Sequence, residues 1–439
     1  MNYRVNISKI VIYALISILM FGSISIPNDT GSVYASSKKK TKNFEYEIKK
    51  KKVYITEYRG KSKKVTIPAR LKGKPVVSAF INKKKVKSLN VTKAKNLKYL
   101  DCSGTKIRKL NTKKNKKLRI LVCSNSKMKK LNLKNNKKLK YLYIGGTKIT
   151  SINLKSNKKL IYIDCEKSKL KKLNLTKNKK LKYLSISGGK LKSLNLKNNK
   201  NLWSLRVVKT QIKKMDISKN IKLRDVELYQ NEKLTTFKSK NNKYLDTLSI
   251  SSTNISNINL SKLKRLKYFD CSGTKISSLD LSKNTKLSNL ICMDTNLTSL
   301  DLSNNKSLFK LNCSDNNISE LDVSVNDGLF RLDCSYMKLE NLDVSKNKNL
   351  DYLDCSYNKI TTISEFSGSI LYCDYNKLTS LSTEKMPLLE DLIIENNPGL
   401  TVDVSSNKNL ISITYSPKGY PDGIEVFMNN TSQRIFTNA

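Results

Sequence analysis

The segment LKYLDC at residues 97–102 recurs as LRILVC at residues 118–123 and as LKYLYI at residues 139–144. Apolar residues hold the first, fourth and sixth positions of this hexad in each of the three segments. Sixteen such hexads follow one another, and of the fifteen steps between them thirteen are 21 residues long, one is 22 and one is 18. The sixth position falls at residues 102, 123, 144, 165, 186, 207, 228, 250, 271, 292, 313, 334, 355, 373, 394 and 415. A period this regular predicts one repeat architecture over residues 94–416.

The pattern within each period matches the leucine-rich repeat, L-x-x-L-x-L-x-x-N/C-x-L, at the short end of its length range. In the first hexad, Leu100 and Cys102 would point inward from a short strand, whereas Tyr99 and Asp101 would point outward. One coil cannot bury its own apolar face, so coils must stack and the ends need caps. The sequence therefore predicts a leucine-rich-repeat solenoid with a parallel β-sheet on its concave face and little helix. At ~4.8 Å per strand it would be a curved rod roughly 70–75 Å long.

The repeat position that usually holds Asn carries Thr or Ser in most coils, such as Thr105 and Ser126, and Asn in later coils such as Asn358. A hydroxyl group at a turn can bond the neighbouring backbone, although more weakly than an amide does. We interpret this column as structural.

All nine cysteines occupy the sixth hexad position, where other coils carry Ile, Val, Leu or Tyr. A residue that alternates with Ile and Val behaves as a small buried hydrophobe, so we predict a structural ladder of free buried thiols. Disulfides stay open as an alternative for an exported protein, although parallel side chains seldom offer the dihedral angle of a bridge. A metal site is disfavoured because a linear ladder is not tetrahedral. The ladder comprises Cys102, Cys123, Cys165, Cys271, Cys292, Cys313, Cys334, Cys355 and Cys373.

The N-terminus has the pattern of a secretory signal peptide. Arg4 and Lys9 precede a twelve-residue apolar run from Ile10 to Phe21, and a polar segment ends near Ala35. The run is shorter than the roughly 20 residues needed to span a membrane. We expect residues 1–35 to be removed on export, with an uncleaved membrane anchor as the alternative.

The repeat form Leu-Asp-Cys-Ser-x-Asn-x-Ile is clearest at residues 353–360. It resembles the cysteine-ladder internalins, the internalin J type of Gram-positive adhesin, over residues 94–416. This resemblance implies display at a bacterial cell surface and adhesion to a host or matrix protein or glycan through the concave face. Residues 44–80 resemble instead the lead-in of BspA-like bacterial surface leucine-rich repeats.

We therefore expect a β-rich N-terminal cap over residues 36–93 and, from the alternation at residues 424–428, a small C-terminal cap over residues 417–439. The chain shows no LPxTG-type sorting motif and no apolar C-terminal tail. We accordingly expect a secreted protein or one that associates with the cell surface non-covalently, with no transmembrane segment after cleavage.

The charge is confined to the N-terminal half. Of the net charge of +51, residues 36–220 contribute 58 Lys and Arg against 7 Asp and Glu, whereas residues 221–439 contain 25 against 26. Many of these lysines lie between strands, as at residues 113–117 and 177–180, and would form basic stripes on the loop and convex surface. The asymmetry favours contact with anionic cell-wall polymers or sulfated glycans, with a solvated face of biased composition as the alternative. Nucleic acid is the least favoured partner, because the chain resembles no nucleic-acid-binding module.

Aromatic and basic side chains gather on the predicted concave face of the first coils. Tyrosines hold the third hexad position in consecutive coils, about 5 Å apart, with lysines at the second position. Exposed rings offer large contact area at low entropic cost, and they suit sugar rings. The alternative is a column of strand-forming residues that binds nothing. The candidate ligand-binding residues are Lys98, Tyr99, Lys140, Tyr141, Tyr143, Tyr162, Lys182, Tyr183, Trp203 and Arg206.

Beyond residue 260 the same face becomes mixed and acidic, with residues such as Asp333, Tyr352 and Asp354, which suggests a second and different contact zone.

The chain contains no histidine, which excludes His-based triads and imidazole metal ligands. Paired carboxylates such as Asp333 and Asp354 follow from the repeat itself, and buried thiols are the opposite of a catalytic cysteine environment. We therefore expect no enzyme, no cofactor and no metal. The sequence predicts an exported, surface-associated repeat protein that binds protein or glycan ligands, with a passive structural component of the envelope as the alternative.

Overall fold

The computed structural model describes residues 38–363, 365–416, 424–428 and 434–437. All of them except Lys38 belong to one unit, Lys39–Ala439. The predicted signal peptide, residues 1–35, and parts of the predicted C-terminal cap lie outside the described residues.

The described residues form strands and turns and no helix. The first seven strands precede the first hexad: β1 (Lys39–Lys40), β2 (Phe44–Lys49), β3 (Lys52–Tyr58), β4 (Lys64–Thr66), β5 (Arg70–Leu71), β6 (Lys74–Phe80) and β7 (Ser88–Asn90). The repeats contribute β8 (Tyr99–Asp101), β9 (Ile120–Val122), β10 (Tyr141–Tyr143), β11 (Ser151–Ile152), β12 (Tyr162–Cys165), β13 (Lys172–Leu173), β14 (Tyr183–Ser187), β15 (Ser204–Val208), β16 (Lys214–Asp216), β17 (Asp225–Glu227), β18 (Thr236–Lys238), β19 (Thr247–Ser249), β20 (Tyr268–Asp270), β21 (Asn289–Ile291), β22 (Lys310–Asn312), β23 (Arg331–Asp333), β24 (Tyr352–Asp354), β25 (Ile370–Tyr372), β26 (Ser380–Ser382), β27 (Asp391–Ile393), β28 (Thr401–Asp403) and β29 (Ser412–Tyr415). Two strands follow them, β30 (Glu425–Phe427) and β31 (Arg434–Thr437).

One strand per coil joins the main parallel sheet, in register. Strand β8 pairs with β9 so that Leu100 lies opposite Leu121, and the same register carries Leu121 onto Leu142 and Leu142 onto Ile163. The ladder continues coil by coil to β29 and then to β31. Shorter parallel ladders, such as β11 with β13 and β26 with β28, form at a second position of the coil. The predicted leucine-rich-repeat solenoid is thereby confirmed.

The main sheet begins before the first hexad. Strands β2 and β3 form an antiparallel hairpin, and β3 then pairs in parallel with β6, which itself pairs in parallel with β8. In β6, Ala79 lies opposite Leu100, and buried Ile81 stands one 21-residue period before Cys102. The solenoid sheet therefore extends into residues that the sequence assigned to the N-terminal cap.

The interior is one continuous apolar column. Leu100, Cys102 and Ile107 of the first coil have no exposed surface, and the equivalent residues of later coils are buried in the same way. Fully burying a side chain of this size stabilises the fold by about 1.5–3 kcal/mol. Because each coil covers its neighbour, this stabilisation exists only in the stack.

A column of buried asparagines joins each coil to the one before it. The Nδ2 atom of Asn157 donates to the backbone oxygens of Leu133 at 3.1 Å and Asn136 at 3.0 Å, both in the preceding coil. We call this column the asparagine ladder; it comprises Asn115, Asn136, Asn157, Asn178, Asn199, Asn220, Asn242, Asn284, Asn305, Asn326, Asn347 and Asn407. Buried backbone oxygens need partners, so the ladder fixes the stacking of the coils.

The turn after each concave strand uses a second column. The hydroxyl of Thr105 donates to the oxygen of Cys102 within its own coil at 2.7 Å. The amide of Asn316 reaches further: its Nδ2 donates to Cys292 of the preceding coil at 2.8 Å, and its Oδ1 accepts the backbone N–H of Leu297 at 3.2 Å. The interpretation of this column as structural agrees with these bonds.

Candidate functional site

Strands β10, β12 and β14 place Tyr141, Tyr162 and Tyr183 at one outward position of the main sheet, and Trp203, which directly precedes β15, adds a fourth ring beside them. The ring of Tyr162 lies 6.0 Å from that of Tyr183, which lies 5.7 Å from that of Trp203. Tyr183 and Trp203 are 36% and 43% exposed, and Tyr141 and Tyr162 are partly exposed. We call Tyr141, Tyr162, Tyr183 and Trp203 the aromatic row. Its members come from adjacent coils because each strand pairs in register with the next.

Two of the tyrosines singled out in the sequence are covered. Tyr99 is 7% exposed, and its ring packs 4.6 Å from that of Phe80 in β6. Tyr143 is 3% exposed, and its ring lies 4.9 Å from that of Tyr162. These two rings support the neighbouring rings and offer little surface of their own.

The basic residues beside the row differ from one another. Lys182 is exposed, whereas Lys98 and Lys140 are partly buried. Burial lowers the pKa of Lys98, and the positive charges of Lys52 and Arg119 lower it further. The guanidinium of Arg206 is engaged by Glu227, by Glu166 at 3.3 Å, and by the ring of Tyr229 at 4.9 Å. Its charge is therefore compensated within the protein.

Asp164 lies on β12 next to the rings of the row. Burial raises its pKa to about 6, the bond from the N–H of Glu166 lowers it, and the charge of Glu166 raises it again. This carboxylate is the most poorly solvated charge beside the row, and its protonation changes with mildly acidic pH.

The lysines of the loops are exposed. Two of them directly precede each of the second to fifth hexads, so the side chains recur at one-coil intervals along the edge of the solenoid. We call this set the lysine edge; it comprises Lys116, Lys117, Lys137, Lys138, Lys158, Lys159, Lys179 and Lys180.

Beyond residue 260 the outward face has a different chemistry. Burial raises the pKa of Asp354, and the charges of Asp333 and Asp374 raise it further, although a bond from Ser356 lowers it. Arg331 stacks on the ring of Tyr352 at 3.7 Å. The negative charges of this region therefore repel one another and have few cations beside them.

Two stacks of exposed rings flank this acidic region. On one side, Phe309 and Phe330 stack 5.2 Å apart and are 43% and 39% exposed. On the other side, Tyr357 stacks between Tyr336 and Tyr375 at 4.1 Å from each.

The three stacked tyrosines occupy the left-handed turn position that recurs two residues after the sixth hexad position, where Asn125, Lys167 and Gln230 have the same conformation. The φ angles of Tyr336, Tyr357 and Tyr375 are 53°, 55° and 52°, in the left-handed region that other coils fill with residues such as Gly104 or Gly146. A bulky side chain there costs about 1–2 kcal/mol, and ring stacking offsets about 0.5–1.5 kcal/mol per pair.

The sequence analysis did not identify this tyrosine stack or the asparagine ladder. Both leave a signal in the sequence: Tyr336, Tyr357 and Tyr375 share one repeat position, and Asn115, Asn136 and their successors share another.

The nine cysteines are free and buried. The sulfur of Cys102 lies 3.4 Å from that of Cys123, far beyond the bond length of about 2.05 Å in a disulfide. Burial raises the pKa of Cys165, Cys292 and Cys313 well above the usual value, so these thiols stay protonated. Within the described ranges, His, Cys, Asp and Glu form no group of three that could hold a metal ion. The part of the chain that is described also contains no helix with the length and apolar character to cross a membrane.

Comparisons with known proteins agree with the fold. No family model and no curated protein sequence matches the chain. Among solved structures, the functional domain of InlJ from Listeria monocytogenes, which includes a cysteine ladder, is 26% identical with a TM-score of 0.54, over 77% of this chain and 69% of that one. The resemblance to cysteine-ladder internalins is thereby confirmed.

Two more distant structures share the fold alone. A leucine-rich-repeat protein of Leptospira interrogans is 17% identical with a TM-score of 0.60, over 77% of this chain and 95% of that one. The plant peptide hormone receptor RGFR1, solved in complex with RGF2, is 17% identical with a TM-score of 0.57, over 76% of this chain and 64% of that one.

Proposed function

We propose that this protein is an exported, surface-associated adhesin of a Gram-positive bacterium. In this proposal the aromatic row binds a protein or glycan ligand, and the basic N-terminal half holds polyanions. The protein would act by binding and not by catalysis. The observation that carries the proposal is the aromatic row: three adjacent strands and the residue that precedes the fourth present rings to solvent, at positions that the repeat does not require to be aromatic.

The aromatic row suits a ligand with flat apolar faces. Tyr183 and Trp203 keep 36% and 43% of their surface exposed although an apolar side chain gains by being covered. The outward position of the three tyrosines is polar in other coils, where Asp225 and Thr247 occupy it, so the fold does not need a ring there. Rings of this kind stack on sugar rings and on aromatic side chains of proteins.

The resemblance to internalin J supports surface adhesion, because that family displays its repeats at the cell surface. RGFR1 was solved with a peptide bound, which is consistent with polypeptide recognition by this fold. Binding of the lysine edge to wall polymers would let the protein associate with the envelope without a covalent link.

Binding of the chain without residues 1–35 to an array of glycans and anionic polymers, in 0.15 M and about 1 M NaCl, tests the proposal. Substitution of Tyr141, Tyr162 and Tyr183 by Ala should abolish salt-resistant binding to a few ligands. The matched control is Tyr268→Ala, which removes a partly exposed ring at the same repeat position in the neutral half.

A second variant changes Lys116, Lys137, Lys158 and Lys179 to Gln and should reduce salt-sensitive binding to polyanions, whereas the same four positions changed to Arg should retain it. If only salt-sensitive binding is seen and the tyrosine variant keeps it, the aromatic row is not a ligand site. If no ligand on the array binds in either salt, the glycan and polyanion parts of the proposal are wrong.

A further inference from the structure

We infer that the acidic outward face of the C-terminal half binds the lysine edge of a second copy of this chain, so that copies associate head to tail. This inference goes beyond the proposed adhesion to ligands and does not depend on it.

The C-terminal half is nearly neutral as a whole, but its negative charges are concentrated on one face. Residues 221–439 are close to neutral as a whole, yet the outward face of the main sheet and its adjoining turn are rich in carboxylates. The carboxylates of this acidic face are Asp270, Asp294, Asp315, Asp333, Asp354 and Asp374. Beside them stand the cations of Lys267, Lys310 and Arg331, of which Arg331 is held over the ring of Tyr352.

The six carboxylates of the acidic face outnumber the three cations beside them, and neutral side chains such as those of Ser272, Asn312 and Ser356 bond several of them. The charges of Asp333 and Asp374 raise the pKa of Asp354, which shows that like charges face one another there. The lysine edge lies about 40 Å away along the stack at one strand spacing per coil. This separation is several times the screening length of about 8 Å at physiological salt. A solenoid cannot bend back on itself, so the lysine edge cannot reach the acidic face of the same copy.

The lysine edge of a second copy complements this face in sign and in spacing. Lys116, Lys137, Lys158 and Lys179 recur once per coil, and Asp333 and Asp354 also recur once per coil. Since both rows are set by the same strand spacing of ~4.8 Å, successive ammonium groups can meet successive carboxylates without a growing mismatch. A partner whose cations do not recur at the strand spacing would lose register after one or two contacts.

The exposed rings beside the acidic face would add contact area. Phe309 and Phe330 flank one side, and the stack of Tyr336, Tyr357 and Tyr375 flanks the other. Lysine side chains can lay their methylene groups on such rings while the ammonium group meets a carboxylate.

The arrangement joins two different surfaces, one from each end of the solenoid. Contacts of this kind do not close on themselves in a pair, so each dimer retains a free lysine edge and a free acidic face. Association therefore extends to longer chains as concentration rises, and it is sensitive to salt because it rests on charge.

Sedimentation velocity of the chain without residues 1–35, over a range of concentrations, tests the inference. We expect oligomers of increasing size in 0.15 M NaCl and monomers in about 1 M NaCl. The acidic-face variant, Asp333→Asn with Asp354→Asn and Asp374→Asn, should weaken association at least about tenfold. Asn is accommodated at positions 333 and 354, since Asn312 holds the same strand position and accepts the N–H of Ser314 as Asp354 accepts that of Ser356.

The matched control removes the same charge elsewhere. Asp280→Asn with Asp301→Asn and Asp322→Asn changes exposed turn carboxylates whose bonding role Asn111 and Asn132 already fill in other coils. This control should associate as the parent chain does.

A mixing experiment separates head-to-tail pairing from other association. The acidic-face variant keeps its lysine edge, and the variant with Lys116, Lys137, Lys158 and Lys179 changed to Gln keeps its acidic face. Each alone should be monomeric, and their mixture should give dimers of one copy of each and nothing larger. An added polyanion should dissociate the parent oligomers, because it competes for the lysine edge.

Three outcomes would overturn the inference: a parent chain that is monomeric at all salt concentrations, association that the acidic-face variant leaves unchanged, or a mixture of the two variants that stays monomeric. None of them bears on the array experiment, in which the acidic-face variant should retain the parent's ligand binding.

Discussion

The two halves of the solenoid are built from the same type of coil and differ in the side chains that the coil exposes. One turn precedes each asparagine of the ladder, and a side-chain oxygen closes it in both halves. In the basic half, the Oδ1 of Asn111 accepts the N–H of Lys113 at 3.1 Å. In the other half, the Oδ1 of Asp280 accepts the N–H of Ser282 at 3.0 Å. The geometry is the same and the charge is not. Surface charge in this protein is therefore set independently of folding, and the strong basicity of the first half is not a structural need.

The aromatic residues make the same point. Both halves have rings on the strands, such as Tyr162 and Tyr183 in the first half and Tyr352 in the second, and the second half adds a stack of rings on the turn, as with Tyr336 and Tyr357. Neither placement changes the inward leucines. Two separate surfaces have thus been built on one interior.

The largest loss of stability is expected for substitutions in the apolar interior, which is the same in both halves. Leu184→Ala in β14 and Leu332→Ala in β23 remove inward side chains that are 2% and 0% exposed. Each should lower the free energy of unfolding by about 2–5 kcal/mol, because each leaves a cavity in the same apolar column. Chemical denaturation of the two variants measures this, and a loss confined to one half would show that the interiors are not equivalent.

A smaller and pH-dependent effect should distinguish the carboxylates of the two halves. Burial raises the pKa of Asp164 from 3.8 to about 6, so the folded chain holds this proton more tightly than the unfolded chain does. This contribution to the free energy of unfolding is fully present below about pH 4 and is lost as the pH rises through 6. The parent chain should therefore lose about 1–3 kcal/mol between these pH values through Asp164, and Asp164→Asn should not show this loss.

The pKa of Asp301 is shifted in the opposite direction. Bonds from Ser303 lower its pKa, so its contribution is present above pH 4 and is lost as the pH falls. Denaturant midpoints of Asp164→Asn and Asp301→Asn between pH 3 and 7 should therefore depart from the parent in opposite directions. Parallel pH profiles for both variants would contradict this assignment.

The smallest of the three effects concerns the turn after the concave strand. Asn316→Thr should lose the bonds to Cys292 and Leu297 and keep a hydroxyl bond within its own coil, as Thr105 does. We expect a loss of about 1–2 kcal/mol. The reciprocal change Thr105→Asn serves as the control for the residue type and should not destabilise by that amount, as measured by the same denaturation.

Much of the fold follows from the sequence because period and alternation fix which side chains point inward. Leu100, Cys102 and Ile107 are buried as the pattern predicts. The surface was harder to predict. Tyr99 occupies an outward position and is nevertheless covered, because Phe80 lies beside it on a strand whose hexad contains no leucine.

The tyrosine stack shows a second limit of reading the sequence alone. The spacing of Tyr336, Tyr357 and Tyr375 is visible, but the left-handed turn that brings their rings to 4.1 Å is a property of the backbone. Periodicity assigns a residue to a repeat position, and the local turn decides where its side chain goes.

The asparagine ladder gives the solenoid a direction. Each amide donates toward the N-terminus, as Asn178 does to Leu154 and Asn157, so every coil is completed by the coil that follows it. A chain that emerges N-terminus first can therefore fold progressively: at the ladder position a finished stack ends in open carbonyl oxygens, which water can solvate, and each new coil arrives with the asparagine amide that bonds them. The hairpin of β2 and β3 is then the starting surface for vectorial folding, and the growing end is always the one that accepts the next coil.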